Sequence, residues 1–214
     1  MYLQMTNMRK LYNKAFFLAI FTVTYNVIEG GLSVLFGYSD ETLALFGFGA
    51  DSFIEVISGF GIVMMVIRIK MNPESSISRF EISALRITGF AFCLLSAGLM
   101  AGIVLNIVSH KKPETTLWGI IISIFSIFVM IWLMVAKRNT GRRIGSEAII
   151  ADANCTKVCV YMSIVLLISS LAYELTGFAY ADVIGAAGLI YFSTSEAKEA
   201  FMKAKAKRYL CCDQ

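Results

Sequence analysis

The chain has 214 residues, of which 57% are hydrophobic and only 16% charged, against roughly 25% charged in an average soluble domain. With a mean hydropathy of +0.71 and its charges gathered between apolar blocks, it reads as an all-α integral membrane protein rather than a soluble enzyme, and no nucleic-acid partner is expected. The formal net charge of +4 is informative only through its distribution.

In chain order, residues 1–14 form a short basic leader, read as cytoplasmic, with Arg9, Lys10 and Lys14. Residues 15–37 are the first span. Tyr25, Asn26 and Glu29 make its centre too polar for a signal peptide, and no small-residue cleavage site follows. An acidic turn over 38–42 holds Asp40 and Glu41. The second span, 43–67, carries Gly47, Gly49, Ala50, Ser58, Gly59 and Gly61, small residues that admit close helix approach. A polar connection over 68–81 holds Arg68, Lys70 and Arg79, and the third span covers 82–108 with Arg86 near its start. Gly98-x-x-x-Gly102 gives that span a packing face, for an intramolecular contact or for a dimer seam.

A turn over 109–116 contains His110, Lys111, Lys112 and Pro113. Residues 117–136 form the cleanest span, without an ionisable residue, and are expected to face lipid more than the others do. A basic loop over 137–143 follows, with Lys137, Arg138, Arg142 and Arg143. The fifth span starts near Glu147 and reaches about Ala172, and its first half is polar: Asp152, Asn154, Cys155, Thr156 and Lys157. After a turn over 173–177, Asp182 opens a sixth span that fades near Ser195. Its clean apolar core of about fifteen residues is short of the roughly 20 usually needed. Residues 15–196 thus read as one six-helix transmembrane domain, and 197–214 as a basic cytoplasmic tail ending in Cys211-Cys212.

Positive residues stay on the cytoplasmic side of a membrane protein. Here they fill the leader, the 68–81 connection, the 137–143 loop and the tail. The alternate connections hold Asp40 with Glu41, then Lys111 and Lys112 against Glu114, then Glu174. Both termini are therefore expected to be cytoplasmic, which requires an even number of spans.

Two stretches carry chemistry. Asp51-Ser-Phe-Ile-Glu55 places two carboxylates one helical turn apart on one face, inside an apolar run. Even mild insertion scales charge about 2.5–3.5 kcal/mol for one Asp at mid-membrane. Such a pair needs a partner, a proton, a cavity or a bound cation; the plainer alternative is two protonated or solvated acids lining a helix contact. Cys155-Thr-Lys-Val-Cys159 repeats the spacing, so both thiols share a face, as ligands or as small apolar filler. The two pairs together offer four ligands, the number that a tetrahedral Zn²⁺-like site needs. Thiolates bias such a site toward soft or borderline metals.

Glu29 lies three residues after Asn26 on the same side, as a proton carrier, a relay ligand or a hydrogen-bonded helix contact. Asp152 reads as the cap of the fifth helix, or as a guide for ions. Lys157 lies off the cysteine face and snorkels. His110 reads as a solvated turn residue. Cys211-Cys212 could receive a metal, be palmitoylated or be inert. No spacing of the five cysteines suggests a secreted disulfide framework.

The chain resembles the cation diffusion facilitator (cation efflux) family over essentially its whole length. That family sets a metal site between an Asp-x-x-x-Asp pair in the second span and a His-x-x-x-Asp pair in the fifth. Gly49-Ala-Asp51-Ser-Phe-Ile-Glu55 resembles the first pair, with Glu55 for the second Asp. Ala151-Asp152-Ala153-Asn154-Cys155 resembles the approach to the second, which puts Cys155 at the His and Cys159 at the last Asp. Tyr180-Ala-Asp182 is similar to the Trp-Ala-Asp that opens the family's final span. Asn26-Val-Ile-Glu29-Gly30, Glu81-x-x-Ala84-Leu85-Arg86 and the ending Cys211-Cys212 are similar to a short subgroup of cation transporters lacking the C-terminal cytoplasmic domain.

The resemblance implies a multi-pass protein, expected in a prokaryotic inner (plasma) membrane, that exports a divalent transition-metal cation by proton antiport, usually as a homodimer. The metal is cargo rather than a cofactor, with Zn²⁺ first and Cd²⁺ or Co²⁺ beside it. Asp51, Glu55, Cys155 and Cys159 are its expected ligands, with Glu29 and Asp152 as secondary or proton-coupling groups. Departures from the family's fifth-span His and Asp bear on how protons would couple. No enzymatic activity is expected, and no nucleotide-binding motif suggests ATP drive. The competing readings are a membrane metal sensor or scaffold without transport, and a membrane thiol oxidoreductase. The second is disfavoured because its motif is Cys-x-x-Cys and because it leaves Asp51 and Glu55 unexplained.

Overall fold

The computed structural model describes residues 2–40, 42–71, 78–109, 115–178 and 180–212. Among them the chain is a bundle of α-helices without strands: α1 (Tyr2–Ser39), α2 (Leu43–Met71), α3 (Ser78–Ser109), α4 (Leu117–Ile144), α5 (Glu147–Thr176) and α6 (Ala181–Cys212). Helices are what lipid demands, because each satisfies its own backbone hydrogen bonds where water cannot. Five helices contain stretches long and apolar enough to cross a membrane, those of α1 to α5. The sixth is continuous as a helix but lies outside that set, in keeping with its short apolar core. The stretch read as a tail from residue 197 continues α6 to Cys212, and residues 2–14 of the stretch read as a leader form the first turns of α1.

The helices pack mainly in pairs, α1 with α2, α3 with α6 and α4 with α5. A central cluster of Ala44, Leu45, Phe48, Leu99, Met162, Leu166 and Leu189 joins α2, α3, α5 and α6. Lipid tails are as apolar as leucine, so close packing and hydrogen bonds, not escape from water, hold such a cluster. At the α1–α2 crossing the backbones nearly touch: a Cβ on Gly49 would lie 2.7 Å from the backbone nitrogen of Val34, and one on Gly30 3.0 Å from the carbonyl oxygen of Gly49. That approach brings Glu29 against α2.

Three expectations need correction here. Lys137 does not lie in a loop: α4 runs on to Ile144, and the turn to α5 is only Gly145-Ser146. Gly145 takes φ +72°, and the Ser146 N–H returns to the Gly141 carbonyl at 3.0 Å, closing the helix end. Nor does Asp152 cap α5. Ser146 is the N-cap, its side chain accepting from the Ile149 N–H, while Asp152 lies buried within the helix. Finally, α4 is not the most lipid-facing helix: 28% of its apolar stretch is buried, against 17% for Gly89–Val108 of α3. A stripe of small residues on α4, Gly119, Ser123 and Ser126, is what lets α5 approach.

The Gly98-x-x-x-Gly102 face divides. A Cβ on Gly102 would meet Leu43 of α2 at 2.7 Å, whereas one on Gly98 would meet nothing. Glu41, the 72–77 connection and residues 110–114, including His110, Lys111, Lys112 and Glu114, lie outside the described residues, as do the side chains of Cys211 and Cys212.

Candidate metal site at the seam of α2 and α5

Successive connections are short, so α2 and α5 run antiparallel. At 1.5 Å rise per residue, Asp51 and Glu55 lie about 12 and 18 Å along α2, near the middle of a hydrocarbon core about 30 Å thick. Cys155 and Cys159 lie about 12 and 18 Å along α5 from the other end. The antiparallel register thus sets Asp51 opposite Cys159 and Glu55 opposite Cys155. The observed contacts follow it. Cys159 Sγ donates to Asp51 Oδ2 at 3.5 Å. Thr156, next to Cys155, donates from Oγ1 to Glu55 Oε1 at 2.8 Å.

Asp51, Glu55, Cys155 and Cys159 line one small cavity with Ile54, Phe92 and Val158. Its outer wall packs on α6 through the cluster of Ile54, Phe92 and Ala197. Asp51 is 2% exposed and Glu55 4%, depths at which an acid must find compensation. Asp51 has the Cys159 thiol. Glu55 Oε1 has Thr156, but the buried Oε2 makes no hydrogen bond. Among the described residues, no three His, Cys, Asp or Glu side chains are drawn together tightly enough to form a preformed metal cage. The four groups share a cavity and alternate across it. Cys93, Cys155 and Cys159 are free thiols.

A second polar cluster adjoins the first along α2. Glu29 of α1 is buried and accepts from Tyr25 Oη at 2.9 Å and from Ser52 Oγ at 3.2 Å. Ser52 follows Asp51 in α2 but is not among the residues lining the cavity, so Glu29 packs on the neighbouring face of that helix. Asn26, a turn earlier on the same face, is fully buried and neither side-chain atom has a hydrogen-bond partner. Asn26 and Glu29 do face inward together. On α4 and α5, Ser163 donates to Ser126 at 3.0 Å, extending the polar lining between helices.

The third component was not legible as a site residue in the sequence. Lys137 is 1% exposed. Its Nζ lies 2.8 Å from Asp152 Oδ2, donates to Thr156 Oγ1 at 2.9 Å and lies 3.9 Å from Glu55 Oε1. At about 4 Å and an effective dielectric near 20, opposite unit charges attract by about 4 kcal/mol, which offsets part of a desolvation cost of several kcal/mol per ion. Asp152 therefore belongs to a buried ion pair beside the seam. Lys157 is exposed, its Nζ 5.4 Å from the Tyr161 ring centre, off the cysteine face as expected. Glu196 of α6, also unanticipated, is buried next to Ala197 of the cavity wall.

A family model described as the cation efflux transmembrane domain matches residues 19–206, which takes in every residue of this seam. In a direct comparison of sequences, no curated protein matches the chain.

Proposed function

The chain belongs to the cation efflux family, and on that premise we propose that it exports a divalent transition-metal cation across the membrane, Zn²⁺ first and Cd²⁺ or Co²⁺ beside it, in exchange for protons. The cargo is taken up between α2 and α5 by the carboxylates of Asp51 and Glu55 and the sulfurs of Cys155 and Cys159. The observation that carries this reading is Glu55 Oε2, a buried acceptor without a hydrogen bond in a cavity shared with Asp51 and both thiols. Buried polar groups are almost always partnered, and a carboxylate oxygen without a hydrogen bond, in a cavity shared with a second carboxylate and two sulfurs, favours a cation there.

The donor set suits the cargo. Two carboxylates and two thiolates match the tetrahedral habit and ligand tastes of Zn²⁺ and Cd²⁺ better than those of Mg²⁺ or Ca²⁺. Coupling to protons follows from the same donors. The Cys159 thiol donates to Asp51, and a metal binds sulfur there only as the thiol proton leaves. Each uptake of cargo releases protons, and each return of protons expels cargo, so binding weakens as pH falls. We assign the receipt of such a proton to Glu29, which is buried and hydrogen-bonded to Ser52, the residue after Asp51. With cytoplasmic termini the cargo moves outward, and we propose that two copies associate as a homodimer.

Uptake of Zn²⁺, Cd²⁺, Co²⁺, Mn²⁺ and Fe²⁺ into proteoliposomes carrying an internal pH-sensitive dye tests the reading. Metal-dependent proton movement that is absent from empty liposomes is the expected result. Binding without flux would instead assign the protein as a membrane metal sensor.

A further inference from the structure

Lys137 is a buried positive charge beside a site built to attract positive charge, and the cargo site by itself has no use for it. Its ammonium faces three groups at once. It is 2.8 Å from Asp152, hydrogen-bonded to Thr156 at 2.9 Å, and 3.9 Å from Glu55 Oε1. Thr156 Oγ1 carries a single hydrogen. While it accepts from Lys137, it can give that hydrogen to Glu55, 2.8 Å away, or to the Asp152 carbonyl at 3.2 Å. In the first arrangement Lys137 holds Glu55 through Thr156 as well as through space.

An ion pair needed only to bury Asp152 would not require this link. Glu55 keeps one oxygen engaged toward Lys137 while the other, Oε2, lacks any hydrogen bond and lines the cavity. The two ends of one carboxylate therefore address different cations. A lysine suits this position because its ammonium is a compact charge on a flexible stem, able to move between two carboxylates without coordinating metal itself while protonated.

We propose that Lys137 is a tethered cation that borders the cargo site, competes with the cargo for Glu55, and so determines how tightly the divalent ion is held. The inference rests on the cargo-site reading above. Without cargo, Lys137 shares itself between Asp152 and Glu55. With a divalent ion on Asp51 and Glu55, Lys137 is repelled toward Asp152, and its charge lowers the affinity of the ion. A carrier needs this, because a site must be favourable enough to fill and weak enough to empty. Lys137 is a positioning and affinity-setting residue, not a ligand.

The test compares wild type, Lys137→Met, and the double variant Lys137→Met/Asp152→Asn, which removes the Asp152 charge together with that of its lysine. Zn²⁺ titration of the full chain in detergent is read beside concentration-dependent flux in liposomes. The proposal expects Zn²⁺ to bind about tenfold tighter, equivalent to about 1.4 kcal/mol, in whichever of the two variants purifies folded. The same variant should show a lower half-saturating concentration and a lower maximal flux. A purely structural ion pair would not lower the half-saturating concentration together with the maximal flux. Affinity equal to or weaker than wild type in the folded variant overturns the proposal. Equal Zn²⁺ binding by wild type and Asp51→Asn is a different result, and it overturns the cargo site itself.

Discussion

Asp182 and Glu55 are both carboxylates withdrawn from solvent, 1% and 4% exposed, at opposite ends of the same design problem. Asp182, in the first turn of α6, is filled by its own fold. Oδ2 accepts the Leu43 N–H at 2.8 Å and Oδ1 the Ala44 N–H at 3.0 Å, tying α6 to the start of α2. On α5, Glu174 Oε1 does similar work at the start of α4, accepting from the Thr116 N–H at 2.6 Å and the Thr115 hydroxyl at 2.9 Å. These acids serve the first backbone N–H groups of helices, which have no partner within the helix. Glu55 sits mid-helix, where every backbone group is already paired, and its Oε2, without a hydrogen bond, belongs to a side chain that lines a cavity shared with Asp51 and two thiols. In a membrane-embedded bundle, burial alone does not separate an acid that serves a helix start from one that lines a cavity; what its oxygens face does.

Removing charge should pull the two regions furthest apart. Asp51→Asn and Glu55→Gln should each abolish metal flux in proteoliposomes while expression and thermal stability stay near wild type, because an amide is cheaper to bury than a carboxylate but offers a cation no charge. Flux retained by Asp51→Asn would erase the contrast. Asp182→Ala should do the reverse. It leaves two helix-start amides without acceptors, at a cost of about 2 kcal/mol in stability, visible as a lower melting temperature in detergent, with Zn²⁺ affinity unchanged. Weakened Zn²⁺ binding with unchanged melting would place Asp182 on the wrong side of the comparison.

A smaller effect sharpens the seam itself. Cys159→Ser should weaken Cd²⁺ more than Zn²⁺ in competitive titration, since a neutral hydroxyl is a poor donor to a soft ion. If both thiols can become alanine without changing affinity or metal preference, they are filler. The least change is expected from single cysteines at Ser39 and Arg142, both exposed. An impermeant thiol reagent outside intact cells should label the first and spare the second, in a background lacking other reactive thiols. The opposite pattern would reverse the direction of transport.

Hydropathy made the six helices visible, and four-residue spacing made the two pairs visible, because both are periodic properties of a single helix. What stayed hidden depended on neighbours. Lys137 heads a run with Arg138, Arg142 and Arg143 that has the composition of a loop. Yet it continues the inward stripe Gly119, Ser123, Ser126, Met130 and Leu133, in steps of three and four residues. That register was the available signal. Asp152 read as a cap by residue type, in the polar first half of the fifth span, whereas the cap is Ser146, six residues upstream in the short turn. Glu196 lies just past the end of the apolar core of α6, where composition suggests solvent, and only the packing of Ala197 on Ile54 and Phe92 brings it under cover. Asn26 and Glu29 were readable because three-residue spacing fixes a common face, whatever lies opposite.

In the proposed site one cation binds across two helices, to oxygen from α2 and to sulfur from α5. X-ray absorption at the zinc edge, on the full chain loaded with one equivalent of Zn²⁺, reads that directly. A mixed shell with sulfur near about 2.3 Å and oxygen near about 2.0–2.2 Å, its sulfur contribution lost in Cys155→Ala/Cys159→Ala, is the result predicted. A shell of oxygen and nitrogen alone, unchanged in that variant, would contradict it.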